Sequence, residues 1–365
     1  MRHEIQVKDS LIRELMDKKG FEGILLRRRD TFSWLTGGKV NYIIRSTEIG
    51  FCDLFITKDK KYCIANTVER YRINDEELDG LGYEILEYNW WEDKTEVSVR
   101  KIIGNGSFGC DTDFNGACNV YEDLKALRYS LLPEEIERYK EVALTCTDAL
   151  ENTCREINIG ETEHQVCANL VKKAMEAGVD PMVALVASDE RIFKYRHPIP
   201  TDKKIDKYAM MVICGRKYGL VANLTRFVHF GDPAGEILEK RKKVLKVEAE
   251  FIANTIVGRD VSDVFDMGIK AYANEGYKDE WNLLHQGGPT GYLTREYIAA
   301  PGCNGKVHAN QAFTWNPSIT GTKSEDTIIV KENGFEIITN SDKWPVVEVE
   351  ASNGIKMFRP DLLIV

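Results

Sequence analysis

The sequence predicts an α+β chain: a small N-terminal α/β domain over residues 1–128, followed by a larger domain over 129–365 built from two copies of an αα-β unit. Three observations carry this. At 365 residues the chain exceeds the usual size of one compact domain. Short alternating helical and extended patterns give way at Pro133 to long helical periodicities. The second part then repeats its own syntax 98 residues later, which points to internal duplication around a pseudo-twofold axis.

The elements follow in order. Leu11, Leu15 and Met16 mark an amphipathic helix stopped at Gly20, and GILLR (residues 23–27) reads as a buried strand. GFCDLFI and KYCIA, separated by residues 58–60, form an antiparallel hairpin. YEILEY and SFGCD are further strands, with helices near residues 92–103 and 120–127. After RYSLL, Pro133 sits in the first turn of a helix with Glu134 and Glu135 at its positive dipole end. Apolar residues from Ile136 to Ile157, spaced by three and four, carry that helix onward. Next come a capping box at Thr162 and Gln165 and a helix ending at Gly178. In the repeat, Gly160 matches Gly258, Thr162 matches Asp260, Val166 matches Val264, Lys172 matches Lys270, and Gly178 matches Gly276.

Composition narrows the function classes. Net charge is 49 − 58 = −9 with both signs mixed along the chain, which argues against nucleic-acid and anionic-membrane partners. The one basic cluster, Arg27, Arg28 and Arg29, reads as solvated surface. No apolar run is long enough for a membrane span, and the charged N-terminus lacks a signal-peptide core, so the expected location is cytoplasmic. Nine cysteines at irregular spacing, without a CxxC pair, suit reduced and mostly buried thiols.

Five segments, in order, carry a resemblance. These are LLPEEIERYKEVALTCTDAL with INIGETEHQV, then YRHPIPTDKKI, GLVANLTRFVHFG, HQGGPTGYLTRE and AFTWNPSITGTKSEDTIIVKENG. Together, from Pro133 to about Thr339, they resemble the creatinase/aminopeptidase P/prolidase family, whose catalytic domain has the pita-bread fold. The resemblance implies Xaa-Pro peptidase chemistry at two divalent ions held by two aspartates, a histidine and two glutamates. It also implies a homodimer in which one subunit helps to close the site of the other; Trp34 and Arg45 stand where such a contribution could arise, although Trp34 reads first as core.

At the matching positions the metal ligands are largely gone. The aspartates are replaced by Val212 and Asn223, the histidine by Gly288 or Pro289, and one glutamate by Asn316; only Glu325 remains. Hard dications need clustered carboxylates, and one carboxylate with two amides does not supply them. Cys214 and His285 are poor substitutes. The expectation is therefore a protein with no metal and no other cofactor.

What remains can still do chemistry. His197 matches the family's catalytic histidine and is the candidate proton carrier. Glu325, the surviving ligand, is expected to orient water or a cationic substrate group, while Asp326, its neighbour on a strand, points away. Asn223 and Asn316 either bind substrate or fill the vacated site. His285 and Tyr292 are further candidate binding groups, Arg295 could clamp a carboxylate, and Arg226 either binds substrate or supports strand geometry. Gly287 and Gly288 suit a tight backbone path.

Creatinase, within the same family, cleaves a C–N bond without metal by means of a histidine. The expected function is accordingly a metal-independent, creatinase-like C–N hydrolase of a small polar or cationic substrate. The alternatives are an Xaa-Pro aminopeptidase or dipeptidase with a rearranged metal site, and a non-catalytic binding protein. The last segment, WPVVEVEASNGIKMFRPDLLIV, runs past the family's usual end and has no function readable from sequence.

Overall fold

The computed structural model describes residues 2–365 and divides into two compact units, Met1–Arg128 and Tyr129–Val365. The first unit begins with α1 (Arg2–Lys19), β1 (Gly23–Arg28), α2 (Arg29–Leu35), β2 (Ile49–Thr57) and β3 (Lys61–Asn66). It continues through α3 (Arg70–Arg72), β4 (Tyr83–Tyr88), α4 (Thr95–Ile103), β5 (Phe108–Cys110), β6 (Cys118–Asn119) and α5 (Tyr121–Leu127). Its strands form one mixed sheet in the order β4-β3-β2-β1-β5-β6, over a core that includes Leu25, Phe55, Ile64, Val99 and Phe108.

The three consecutive arginines are not the solvated patch expected. Arg27 pairs with Asp53 at 3.2 Å, Arg28 with Asp30 at 2.9 Å, and buried Arg29 donates to the carbonyls of Arg45 and Thr47. Trp34 is only 1% exposed, inside its own unit, so its indole is not available to another subunit.

The second unit opens with α6 (Pro133–Glu156), α7 (Glu163–Glu176), β7 (Asp180–Ser188), α8 (Glu190–Lys194), β8 (Tyr208–Lys217) and β9 (Leu220–His229). A second series follows: α9 (Gly235–Asn254), α10 (Val261–Asn274), β10 (Gly287–Thr290), β11 (Ala312–Trp315), β12 (Ser318–Ile319), β13 (Thr322–Lys323), β14 (Asp326–Lys331) and β15 (Gly334–Ile337). The tail adds β16 (Val346–Glu350), β17 (Lys356–Pro360) and β18 (Leu363–Ile364).

The duplication read from the sequence reappears as matched hydrogen bonds. Gly160 N–H donates to the Ile205 carbonyl at 2.9 Å, and Gly258 N–H to the Val307 carbonyl at 2.8 Å. Ile205 and Val307 return bonds to Glu161 and Arg259, both at 2.9 Å. Thr162 bridges to Lys204, and Asp260 to Lys306. Gly160 and Gly258 both hold positive φ, 91° and 84°, a turn that side chains resist and glycine does not. The caps differ, however. Thr162 closes the expected box with Gln165, whereas Asp260 makes no side-chain cap and instead pairs with Lys306 at 2.8 Å.

Each half contributes a sheet, one ordered β18-β9-β8-β7 and the other β10-β11-β14-β15. They are stitched together where β9 meets the start of β14. Thr225 N–H donates to the Glu325 carbonyl at 3.1 Å, and the Thr327 hydroxyl both accepts from Asn223 N–H and donates to its carbonyl, at 3.0 Å each.

Behind that seam runs a chain of buried charges: Glu151, Arg226, Asp326, Arg359 and Glu248. Arg226 contacts Glu151 at 3.2 Å and Asp326 at 3.0 Å, while Arg359 contacts Asp326 at 2.6 Å and Glu248 at 2.7 Å. Every member is at most 1% exposed at the side chain. Asp326 thus points away from Glu325, as alternation requires. The tail, opaque from sequence, serves the core: β17 carries Arg359 into it, and β18 extends the first sheet by pairing with β9 in parallel.

Removing Arg359 takes the cation from buried Glu248 and leaves Asp326 with Arg226 alone. Arg359→Ala is expected to cost about 3–5 kcal/mol of stability, read as a lower midpoint in urea unfolding; an unchanged midpoint would show that the charge chain does not hold the tail.

Candidate functional site

A cavity of about 490 Å³ opens in the second unit, within the roughly 300–1,000 Å³ of small-molecule sites. Strand alternation supplies its aliphatic wall: Val183 and Leu185 from β7 and Val212 from β8, with Ile298 from the loop after β10. The polar lining is His197 from the loop after α8, His285 ahead of β10, Arg295, Asn316, Lys323 of β13 and Glu325. A larger cavity, about 780 Å³, lies between α9, α10 and β16. It is edged by Lys–Glu pairs such as Lys246–Glu275 and gathers no histidine, so the chemistry is sought in the smaller one.

Glu325 is the centre of the polar side. It is 3% exposed, and its carboxylate takes Lys323 Nζ at 2.7 Å and Arg295 Nη2 at 3.1 Å. The Thr225 hydroxyl donates to it at 2.7 Å. Burial alone would raise its pKa; the Lys323 and Arg295 charges and the hydrogen bonds outweigh burial and hold it near about 2. A carboxylate so acidic, with three donors already bound, is a weak base and has little capacity left to orient water. This revises the role expected from sequence: Glu325 is the anchor of two cations.

The histidines are both neutral near pH 7. His285 is pushed down to about 4, first by burial and then by the Arg295 and Lys323 charges. His197, exposed at the rim, is lowered by burial and by Lys323. Their ring centroids lie 5.8 Å apart. The neighbouring Arg196 bonds to Glu280 at 2.6 Å and to the Thr320 hydroxyl at 2.9 Å, which ties the His197 loop to the segment before His285. With neutral imidazoles, the charges of Lys323, Arg295 and Glu325 sum to +1. A cationic substrate group therefore meets repulsion here, contrary to the expectation.

The other candidates separate by location. Asn316 lines the cavity, and its buried Oδ1 has no hydrogen-bond partner among the described residues. Asn223 does not line it; its amide donates to the Thr290 and Thr314 hydroxyls at 3.1 and 3.2 Å, filling the vacated ligand position. Tyr292 is fully buried, with its hydroxyl on Glu135, and Arg226 belongs to the charge chain behind the seam. Neither lines the cavity, because each has an acidic partner on α6 that holds it elsewhere. Sequence reasoning missed Lys323, although the K-S-E spacing signals it: residues two apart on an extended segment share a face.

A dinuclear metal centre does not fit these residues. Among the described residues, no group of three or more histidine, cysteine, aspartate or glutamate side chains is arranged to hold an ion. The one carboxylate left from the expected ligand set is already neutralised by two cations. At Gly288 a Cβ would lie 2.7 Å from the Tyr297 carbonyl oxygen, so no histidine can be reintroduced there without moving backbone.

Comparison with known proteins agrees with the fold. The model of metallopeptidase family M24 matches residues 137–332, just over half of the chain. An uncharacterized peptidase of Staphylococcus haemolyticus is 25% identical over 237 residues, which span 62% of this chain and 66% of that protein, just under two thirds. The Xaa-Pro dipeptidase from Bacillus anthracis superposes with a TM-score of 0.77 at 19% identity, covering 99% of this chain and 100% of that one. The N-terminal domain of FACT complex subunit SPT16 from chickpea superposes at 0.69 with 13% identity, covering 93% and 96%. At such identities the likeness to solved structures is one of fold, the pita-bread fold.

The depressed His285 value has a stability consequence. Its native pKa, about 4, lies below the ordinary 6.5, so between those values the unfolded chain binds more protons and stability rises with pH. Urea unfolding across that window is expected to show stability falling as the solution is acidified, with a shallower fall in His285→Gln. An identical slope in the variant would place the titration elsewhere.

Proposed function

The chain belongs to metallopeptidase family M24, and from that premise we propose that it is a metal-independent C–N hydrolase of a small amide-type substrate. The observation that carries the reading is the saturation of Glu325 by Lys323, Arg295 and Thr225. It removes the last ligand from metal duty and leaves two cations facing a neutral histidine.

In this reading His197 is the proton carrier. Neutral near pH 7, it takes a proton from the attacking water and passes it to the departing nitrogen, so the C–N bond breaks as the new C–O bond forms and the ring ends neutral. Its lowered pKa makes the transient imidazolium a ready donor. Negative charge growing on the substrate oxygen is stabilised by Arg295 and Lys323, fixed in place by Glu325 before the reaction begins. Two such cations supply part of the charge stabilisation that a Lewis-acid pair gives a metallopeptidase. Asn316, which lines the cavity, is a further polar group beside the substrate. The resemblance to creatinase is thus one of proton transfer; the cationic substrate of the sequence reading is replaced by a neutral or anionic one.

Two other readings stand beside it. An Xaa-Pro peptidase with rearranged ligands draws on the likeness to the B. anthracis enzyme. A binding protein without turnover draws on the SPT16 domain, a complex subunit of the same fold. We further propose a homodimer acting in the cytoplasm, testable by light scattering on the purified chain.

Protein purified without chelator is expected to carry far less than one Mn, Zn, Co or Fe per chain and to keep its hydrolytic rate in EDTA. His197→Ala should lower kcat on cyclic and ureido amides by about 10²–10⁴-fold. Stoichiometric metal with EDTA-sensitive peptidase activity would establish the Xaa-Pro reading instead. Binding of the same amides with no turnover by the wild type would establish the binding protein.

A further inference from the structure

The larger cavity, about 780 Å³, lies apart from the histidines and has no part in the hydrolase reading. Its lining runs without a break from Val347 to Ser352, while β17 contributes none of its residues. Side chains alternate along a strand, so a space bordered by consecutive residues lies along the backbone edge and not over one face. β16 and β17 form a sheet of two strands, so that edge of β16 has no neighbour.

The register fixes which backbone groups are free. Ala351 N–H donates to the Ile355 carbonyl at 2.9 Å and Asp361 N–H to the Pro345 carbonyl at 2.8 Å. Bonded positions in an antiparallel ladder come every second residue, so Val347 and Val349 bond to β17 while Glu348 and Glu350 turn N–H and C=O into the groove. An unpaired row of this kind is a template for a further strand unless something covers it. Here it is open: the Glu348 and Glu350 side chains are 53% and 57% exposed.

The two faces of that edge differ in chemistry. Val347 and Val349 stand opposite Arg359 and Met357, whose side chains are buried toward α9, so they face the helices. With Leu238 and Leu245 of α9 and Ala271 of α10 they make an apolar floor. On the other face Glu348 and Glu350 share one cation, Lys356, at 3.7 Å each. At the end of the edge, Glu250 of α9 forms no ion pair among the described residues; its carboxylate accepts from Ser352 and Asn254. Elsewhere in the groove Lys246 is taken by Glu275 at 3.3 Å, and Lys242 lies about two turns of α9 away from Glu250. Three carboxylates along the edge therefore face one lysine. A second copy of the chain, pairing edge to edge, would set these glutamates against their own counterparts, and like charges directly opposite destabilise a sheet.

We propose that the free edge of β16 docks an extended basic peptide, which adds as a third strand in the groove. Its alternate aliphatic residues lie on α9 and α10, and the lysines or arginines between them stand beside Glu348 and Glu350. Main-chain hydrogen bonds supply the affinity, and the cross-strand charge pairs select the sign of the partner.

Fluorescence anisotropy with a labelled peptide alternating valine and lysine is expected to show binding to the full chain. The valine–glutamate counterpart, and a valine–lysine copy N-methylated along its backbone, should each bind about tenfold more weakly or worse. Glu348→Gln combined with Glu350→Gln should weaken the basic peptide by about tenfold. Glu348→Pro, which removes an outward N–H and leaves the ladder to β17 intact, should do the same, whereas Glu348→Asp retains binding. Urea midpoints matching the wild type's establish that these variants are folded, and the peptide series on the wild type decides the matter without them. No binding of the basic peptide overturns the proposal, as does equal binding of the acidic or the N-methylated one. Binding unmoved in the folded double variant overturns it too. A dimer in light scattering that dissociates in Glu348→Pro would assign the edge to a second copy instead. None of these measurements involves His197 or turnover, so this proposal and the hydrolase stand or fall separately.

Discussion

A carboxylate almost without solvent contact cannot stand alone, and the arrangement of the second unit follows from how Glu325 is compensated. Two cations and a hydroxyl meet it from three separate segments: Lys323 on the short strand just before it, Arg295 on the loop after β10, and Thr225 on β9. Because β9 belongs to the first half and the others to the second, neutralising this one group fixes the halves against each other. The same seam is drawn tight on the backbone by Thr225 and Thr327. Desolvation, which would otherwise expel the charge or protonate it, becomes the reason for the geometry.

The vacated ligand positions have been filled by three different physical means. Asn223 keeps a polar group whose amide N–H donates to threonine hydroxyls, while its buried Oδ1 has no hydrogen-bond partner among the described residues. Val212 gives up polarity and becomes wall. At Gly288 the main chain itself has closed in, to within 2.7 Å of where a Cβ would sit. Asn316 lines the cavity and Asn223 does not, which is why Asn316 alone of the two counts among the binding groups, although both have a buried Oδ1 without a hydrogen-bond partner among the described residues.

Much of the fold was legible because its signals are local. The glycines at 160 and 258, the capped helices and the three-and-four apolar spacing each act within a few residues, and their repetition exposed the duplication in the sequence itself. The site was legible in part. His197, His285, Arg295, Asn316 and Glu325 sit in the family-like segments, and the fold brings them to one cavity. Tyr292 and Arg226 sit in such segments too, but their partners Glu135 and Glu151 lie far away in sequence, and no local pattern announces a contact across 157 or 75 residues. Lys323 was overlooked for another reason: a lysine near a former metal ligand reads as surface until the depth of the strand is known. The tail was opaque because its partners lie far away in sequence: Arg359 reaches back 111 residues to Glu248, and β18 pairs with β9.

That reach orders events in time. Glu248 is synthesised 111 residues before Arg359, its one ion-pair partner among the described residues, whereas Asp326 already has Arg226. The last buried carboxylate of the second unit is therefore matched by a cation only when β17 is in place, which makes the tail part of the core and not an appendage.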